Sequence, residues 1–397
     1  MAVTASRAAA VAHPVSSHAA VPWQVLAVLF ASTSVLVGVL WDISWHQSIG
    51  RDKLLSPPHL AIYLGGIVAG LACGWIVLRT TFAGTDAERA ASVTFWKYFR
   101  GPLGAWVCIW GAIAMITSAP FDDWWHNAYG LDVKILSPPH AVLAAGIGAI
   151  NLGAVLMVLP LQNRATDAAT RALLARLFVL ACGLLLLMLA TMASEYHYRV
   201  YMHGSRFYVV SAIAFPVILA AAARAGLTRW PATLTALVYS AVTLAMMWIL
   251  PLFPAEPMLA PINIRVTSMV PPSFPLLLVA PALLIDIVMH RFGGAVRSHA
   301  RDWALAAALG VVFVAALLAV QWPFASFLMS DLAQNPLFAA DNFPYQVAQT
   351  TRYYRRLFLP FEGTAAFAQG MLVALVAGTL SARLGLAWGA WMRRVER

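Results

Sequence analysis

Apolar runs of eighteen residues or more follow one another along most of this chain. A backbone that enters lipid must satisfy its own N–H and C=O groups, so such runs have to be helices. Ten spans are expected, at roughly 22–41, 59–78, 101–119, 140–161, 172–193, 206–224, 230–250, 273–290, 303–322 and 364–388. Proline and glycine clusters punctuate their ends, as at Pro57-Pro58, Pro138-Pro139 and Pro271-Pro272. Only 11% of the residues are charged, about half the share of a soluble domain, and 61% are hydrophobic. The fold class that follows is an all-α, polytopic membrane helix bundle of about ten helices.

Residues 1–21 read as a disordered cytoplasmic tail. A cleaved signal peptide is not expected, because the first apolar run is long enough to span and leads straight into Asp42 with no small-residue cleavage site. Most lysines and arginines fall at the termini and in the loops after even-numbered spans, for example Arg79, Arg89, Lys97, Arg100, Arg291, Arg297 and Arg301. The positive-inside bias then predicts a multi-pass protein of the inner (cytoplasmic) membrane with both termini in the cytoplasm. The net charge of +10 is largely this bias, and no nucleic-acid partner is read from it. Cys73, Cys108 and Cys182 lie inside apolar spans without C-x-x-C spacing and read as small core residues.

One motif occurs twice. Asp42-Ile43-Ser44-Trp45-His46 leads to Ser56-Pro57-Pro58-His59, and Asp122-Asp123-Trp124-Trp125-His126 leads to Ser137-Pro138-Pro139-His140. Both copies read D-x-x-W-H-x-x-x-G-x-D followed by S-P-P-H, with twelve residues between the histidines in the first and thirteen in the second. The duplication defines a region 22–161 of paired helices, followed by additional membrane helices with long extracytoplasmic loops over 162–397. If the first helix continues a turn past its apolar run, Asp42 and His46 share one face. Ser56 then suits an N-cap, Pro57 the first helical position, and His59 the first turn of the next helix. One carboxylate and two imidazoles would converge in each copy. Asp42, His46, His59, Asp122, His126 and His140 are therefore candidate metal ligands, and a purely structural polar cluster is the competing reading. Two imidazoles and a carboxylate with open positions suggest non-haem iron, and zinc or copper are also compatible. Asp52 and Asp132 recur as well. They would orient an imidazole through its second nitrogen, or pair with Arg51, Lys53 or Lys134, and the pairing is preferred. Trp45 and Trp125 read first as interfacial belt residues and second as site walls.

The pattern D-x-x-W-H-x12-H, with Arg-Asp inside it and a proline step before the last histidine, resembles the C subunit of the copper membrane monooxygenases, the particulate methane and ammonia monooxygenases. The resemblance covers roughly residues 22–161. It implies one copper site at Asp42, His46 and His59, and a second at His126 and His140, with Asp122 standing where the family has asparagine. It also implies oxidation of a small substrate with dioxygen and the company of other membrane or periplasmic subunits. The alternative from another class is copper or other metal acquisition, transfer or assembly without catalysis. The residues name no catalytic group, and the substrate stays unknown.

Further candidates are fewer. Glu195, His197 and His203 fall in the next extracytoplasmic segment as secondary ligands or, preferably, polar lining. Asp286 is a carboxylate within a span, for which pairing with Arg291 or Arg301 is preferred over a functional role. Residues 323–363 are expected to form a long loop acting as a cap or a docking surface.

Overall fold

The computed structural model describes residues 21–50, 53–130, 137–197, 201–257, 266–294, 298–340 and 362–396, without the side chains of 195 and 197. The elements are α1 (Trp23–Ser48), α2 (Pro57–Ala83), α3 (Asp86–Ala90), a hairpin of β1 (Val93–Phe95) and β2 (Phe99–Gly101), α4 (Leu103–Tyr129), α5 (Pro138–Arg164), α6 (Ala168–His197), α7 (Ser205–Ala225), α8 (Pro231–Ile249), α9 (Val279–Phe292), α10 (His299–Leu328) and α11 (Gly363–Met392). Nine of the described helices are long and apolar enough to cross a membrane, α9 not among them. The chain is an all-α polytopic membrane bundle. Leu71, Ile116, Leu372 and Val376 are exposed on its flanks, where lipid rather than water is their favourable neighbour.

The span expected at 273–290 is the exception. Its first part is extended, and the helix begins only at Val279. Pro271, Pro272 and Pro275 lack the N–H groups a helix needs, which is the reason. At 14 residues, α9 is about 21 Å long, short of the ~30 Å hydrocarbon thickness. The extended stretch is tolerated because side chains from three helices satisfy it. Ser44 Oγ of α1 donates to the Val270 carbonyl at 2.6 Å, and Val270 N–H donates to Ser48 Oγ at 2.7 Å. Leu276 N–H donates to the Tyr239 hydroxyl at 2.9 Å, and Leu277 N–H to Gln321 Oε1 at 3.0 Å. Non-helical backbone survives at membrane depth only when enclosed in protein in this way.

The two duplicated helix pairs pack side by side. α1 lies on α2, α4 on α5, α2 on α4 and α1 on α5. A buried hydrogen bond of 2.6 Å from Ser32 Oγ to Asn151 Oδ1 ties one pair to the other. Each pair closes on a glycine six residues past the second motif histidine. A Cβ at Gly65 would lie 2.6 Å from the Ala31 carbonyl oxygen, and one at Gly146 would lie 2.8 Å from that of Gly111. Neither position has room for a side chain, so the helices approach backbone to backbone.

In the other half, two helix starts are capped by carboxylates from far along the chain. Glu362 accepts from Ser205 N–H at 2.6 Å and from Ser205 Oγ at 2.8 Å, at the start of α7. Asp286 accepts from Ala232 N–H at 3.2 Å, Thr233 N–H at 2.8 Å and Thr233 Oγ1 at 2.7 Å, at the start of α8. Both helices follow cap residues without a capping side chain, Gly204 and Trp230. The expected pairing of Asp286 with Arg291 or Arg301 is thus replaced by the N–H groups of a neighbouring helix, which need an acceptor and carry partial positive charge. Arg224, nearly buried in the last turn of α7, contacts Asp302 in the first turn of α10 at 3.1 Å. The region expected as a loop from 323 starts later, since α10 runs through Pro323 to Leu328. Phe338 then packs on Phe274, Phe324 and Phe327, and residues 341–361 lie outside the described ones.

Candidate metal centre

Both motif helices continue past their apolar runs, to Ser48 in α1 and Tyr129 in α4. No glycine or proline interrupts them between the motif carboxylate and the helix end. Asp42 and His46 therefore stand one turn apart on one face of α1, and Asp122 and His126 on one face of α4. The glycine after each helix ends it. Gly50 has φ 103° and Gly130 φ 84°, a region L side chains rarely adopt, which accounts for a glycine at this place in both copies. Each returning helix opens with Pro-Pro in its first turn and carries His59 or His140 there. Ser137 caps α5 by accepting from His140 N–H at 3.4 Å, whereas Ser56, the N-cap of α2, makes no side-chain capping bond.

The six motif residues gather as two Asp-His-His sets. In the first, Asp42 Oδ2 is 3.6 Å from His46 Nε2 and Oδ1 is 3.4 Å from His59 Nε2. In the second, a single oxygen, Asp122 Oδ1, faces His126 Nε2 at 3.5 Å and His140 Nε2 at 3.3 Å. That oxygen is buried and has no hydrogen-bond partner among the described residues. Charge-assisted hydrogen bonds run at about 2.7–2.9 Å, so all four separations are too long to be good ones. Two ligands each about 2.1 Å from one ion at a tetrahedral angle would stand roughly 3.4 Å apart. In the second set, where both imidazoles face one carboxylate oxygen, the distances match the edges of a coordination shell better than a hydrogen-bonded cluster, whereas in the first they end on two different oxygens.

The second nitrogen of His126 is also accounted for. Nδ1 lies 3.1 Å from the Gly130 carbonyl. A carbonyl only accepts, so Nδ1 carries the proton, and a neutral ring keeps its lone pair on Nε2, facing Asp122. Among the described residues, Asp122, His126 and His140 form the one group of three whose ligand atoms all lie within 4.8 Å of one another. These three could hold a metal ion. No family model matches the chain, and no curated protein or solved structure matches it either. The chemistry of the site rests on its own geometry.

Both sets are partly open to solvent, the His46 side chain at 51% and that of His140 at 34%. Around the second, Phe121, Trp124, Trp125 and Tyr129 form an aromatic cluster, with Trp125 and Tyr129 centroids 4.5 Å apart. Trp41 and Trp45 instead pack against the bundle core. Asp52 and Asp132 lie outside the described residues, as do the side chains of Glu195 and His197. His203 is buried, with Nε2 2.9 Å from Ser326 Oγ and its ring edge-on to Trp322 at 4.7 Å. Sequence reading missed Gly65 and Gly146, which set the spacing of each helix pair. Their signal was present as a glycine at the same distance after each S-P-P-H.

Proposed function

We propose that the chain is a membrane metalloprotein with two Asp-His-His sites at the extracytoplasmic face, of the copper monooxygenase C-subunit type. The convergence of Asp122, His126 and His140 is the observation that supports this reading, and Asp42, His46 and His59 repeat the same residue types at the equivalent helix ends. Asp42, His46 and His59 would hold one ion, and Asp122, His126 and His140 the other. Copper is the metal that the motif's resemblance favours, with iron and zinc as the alternatives that the same ligands accept. Bound there, copper would supply the redox chemistry for oxidising a small substrate with dioxygen. The chain's own part is to hold the ligands on rigid helix ends, to fix the His126 tautomer through Gly130, and to wall the second site with aromatic rings. Both termini are cytoplasmic in this reading, and other membrane or periplasmic subunits complete the enzyme.

A second reading, metal acquisition or transfer without catalysis, is favoured by one observation, the 51% exposure of the His46 side chain. An imidazole that open suits loading and handing over an ion.

Metal analysis of the purified wild type beside His46→Ala and His126→Ala tests the metal. Each variant is expected to lose one ion, and wild type with no stoichiometric copper, iron or zinc would sink both readings. Metal-dependent oxygen consumption with a small alkane or ammonia separates enzyme from carrier.

A further inference from the structure

The β1–β2 hairpin lies between the end of α2 and the start of α4, at the opposite end of the bundle from the motif residues. Beneath it is an open recess of about 500 Å³ lined by Thr81, Asp86, Arg89, Ala90, Tyr98 and Arg100. Three features of this corner have no use in the metal site.

The first is the balance of charge. Glu88 is already occupied. It accepts from Arg79 Nη2 at 2.9 Å and from Thr85 N–H at 2.8 Å, and the Thr85 N–H is the main influence holding its carboxyl below the usual range. Asp86 is fully exposed and 3.8 Å from Arg89 Nη1, a screened contact worth little. The Arg89 Nε is buried and has no hydrogen-bond partner among the described residues. Among the described residues, the Arg100 side chain reaches only the Arg89 carbonyl, at a long 3.4 Å. Two guanidinium groups therefore line a recess whose only carboxylate is loosely held.

The second is strain. Trp96, Lys97 and Tyr98 form the three-residue tip of the hairpin, and the first two have φ 48° and 67°. Positive φ favours glycine or asparagine, and each bulky residue held there costs on the order of 1–2 kcal/mol. Strain of that size persists when something else offsets it. Here it projects an indole and an ammonium from the end of a membrane helix.

The third is exposure. Tyr98, which lines the recess, is 78% exposed, and Trp96 in the hairpin tip and Phe82 at the end of α2 are 71% and 73% exposed. Aromatic rings beside cations at the end of an apolar span are what the lipid headgroup region retains. A soluble anion would satisfy the arginines and leave the rings in water.

We propose that Arg89 and Arg100 bind the phosphate of an anionic phospholipid headgroup, with Trp96 and Tyr98 embedded at the interface beside it. The test uses the full chain and native mass spectrometry with phosphatidylglycerol, phosphatidylcholine and glycerol 3-phosphate as probes. The wild type is expected to retain phosphatidylglycerol over phosphatidylcholine, and Arg89→Gln with Arg100→Gln to lower that retention about tenfold. Arg164→Gln removes a charge at the end of α5, outside the recess, and should retain the lipid. Equal loss in Arg164→Gln, equal retention of the two lipids, or displacement by glycerol 3-phosphate at equal concentration overturns the proposal. Independently of whether the double variant folds, fluorescence of the wild type minus Trp96→Phe in brominated-lipid vesicles reports Trp96 alone. Quenching is expected, and an unquenched Trp96 places the hairpin in water and overturns it too.

Discussion

Asp122 Oδ1 stands 3.3 Å from His140 Nε2, although one belongs to the last turns of α4 and the other to the first turn of α5. The first copy sets Asp42 Oδ1 3.4 Å from His59 Nε2 in the same relation. In both, the carboxylate and one imidazole share a helix face, so their separation is fixed locally. The distance to the second imidazole depends on how closely two helices approach.

That dependence makes Gly146 a remote control of the second site. A valine there must displace the Gly111 carbonyl, which an added Cβ would meet at 2.8 Å. Overpacking of this kind costs about 1–3 kcal/mol. Gly146→Val is expected to lower the thermal midpoint and to weaken ion binding at the second site while the first keeps its ion. Isothermal titration of each variant, with the His46→Ala chain to isolate the second site, measures it. Unchanged affinity would show that the site tolerates a wider helix pair.

Gly130→Ala tests the His126 tautomer. Gly130 pairs φ 84° with ψ −167°, a conformation almost confined to glycine, and alanine there costs about 1–3 kcal/mol. The carbonyl that holds His126 Nδ1 moves with it. Loss of such a supporting bond lowers metal affinity about 10–100-fold. Nitrogen NMR of labelled histidine should show the Nδ1-protonated form of His126 diminished in the variant. A chemical shift identical to wild type would remove Gly130 from this role.

Much of this was legible in the sequence because the membrane leaves few choices. Apolar length marks nine helices, and the repeat D-x-x-W-H with S-P-P-H marks the residues that gather at the helix ends, Asp122, His126 and His140 among them. What failed depended on contacts between distant residues. Apolarity alone makes 273–290 read as a helix throughout, but Pro271, Pro272 and Pro275 deny its first part the N–H groups, and its support comes from Ser44, Ser48, Tyr239 and Gln321. Asp286 was matched with arginines near it in sequence, because a helix start more than fifty residues away gives no local sign that it needs an acceptor.

Asp286→Ala is accordingly a structural lesion at the end of the bundle away from the candidate metal centre. It strips the α8 start of an acceptor that takes three hydrogen bonds. Loss of a helix cap costs about 0.5–2 kcal/mol, and buried N–H groups left unmet add to that. The thermal midpoint should fall with metal content unchanged, and Asp286→Asn should recover part of the loss because its amide oxygen still accepts. A transport or catalytic role for Asp286 would instead show as lost activity at wild-type stability.

The last prediction concerns the turn of α1 that carries the first site. Asp42 and His46 lie on the face of that turn toward α2, and Ser44 and Ser48 on another face bind both polar groups of Val270. The extended segment therefore holds the helix end that presents two ligands. In a Ser44→Ala, Ser48→Ala chain, the Val270 N–H and C=O lose these partners, at about 1–3 kcal/mol for each group left unmet. The turn is then free to fray, since α1 ends at Ser48 and Gly50 follows two residues later with φ 103°. Metal affinity should drop at the first site and stay unchanged at the second, read by titration of the double variant in His46→Ala and His126→Ala backgrounds. Equal weakening at both sites would indicate a general loss of stability. An unchanged first site would show that α2 alone positions Asp42 and His46.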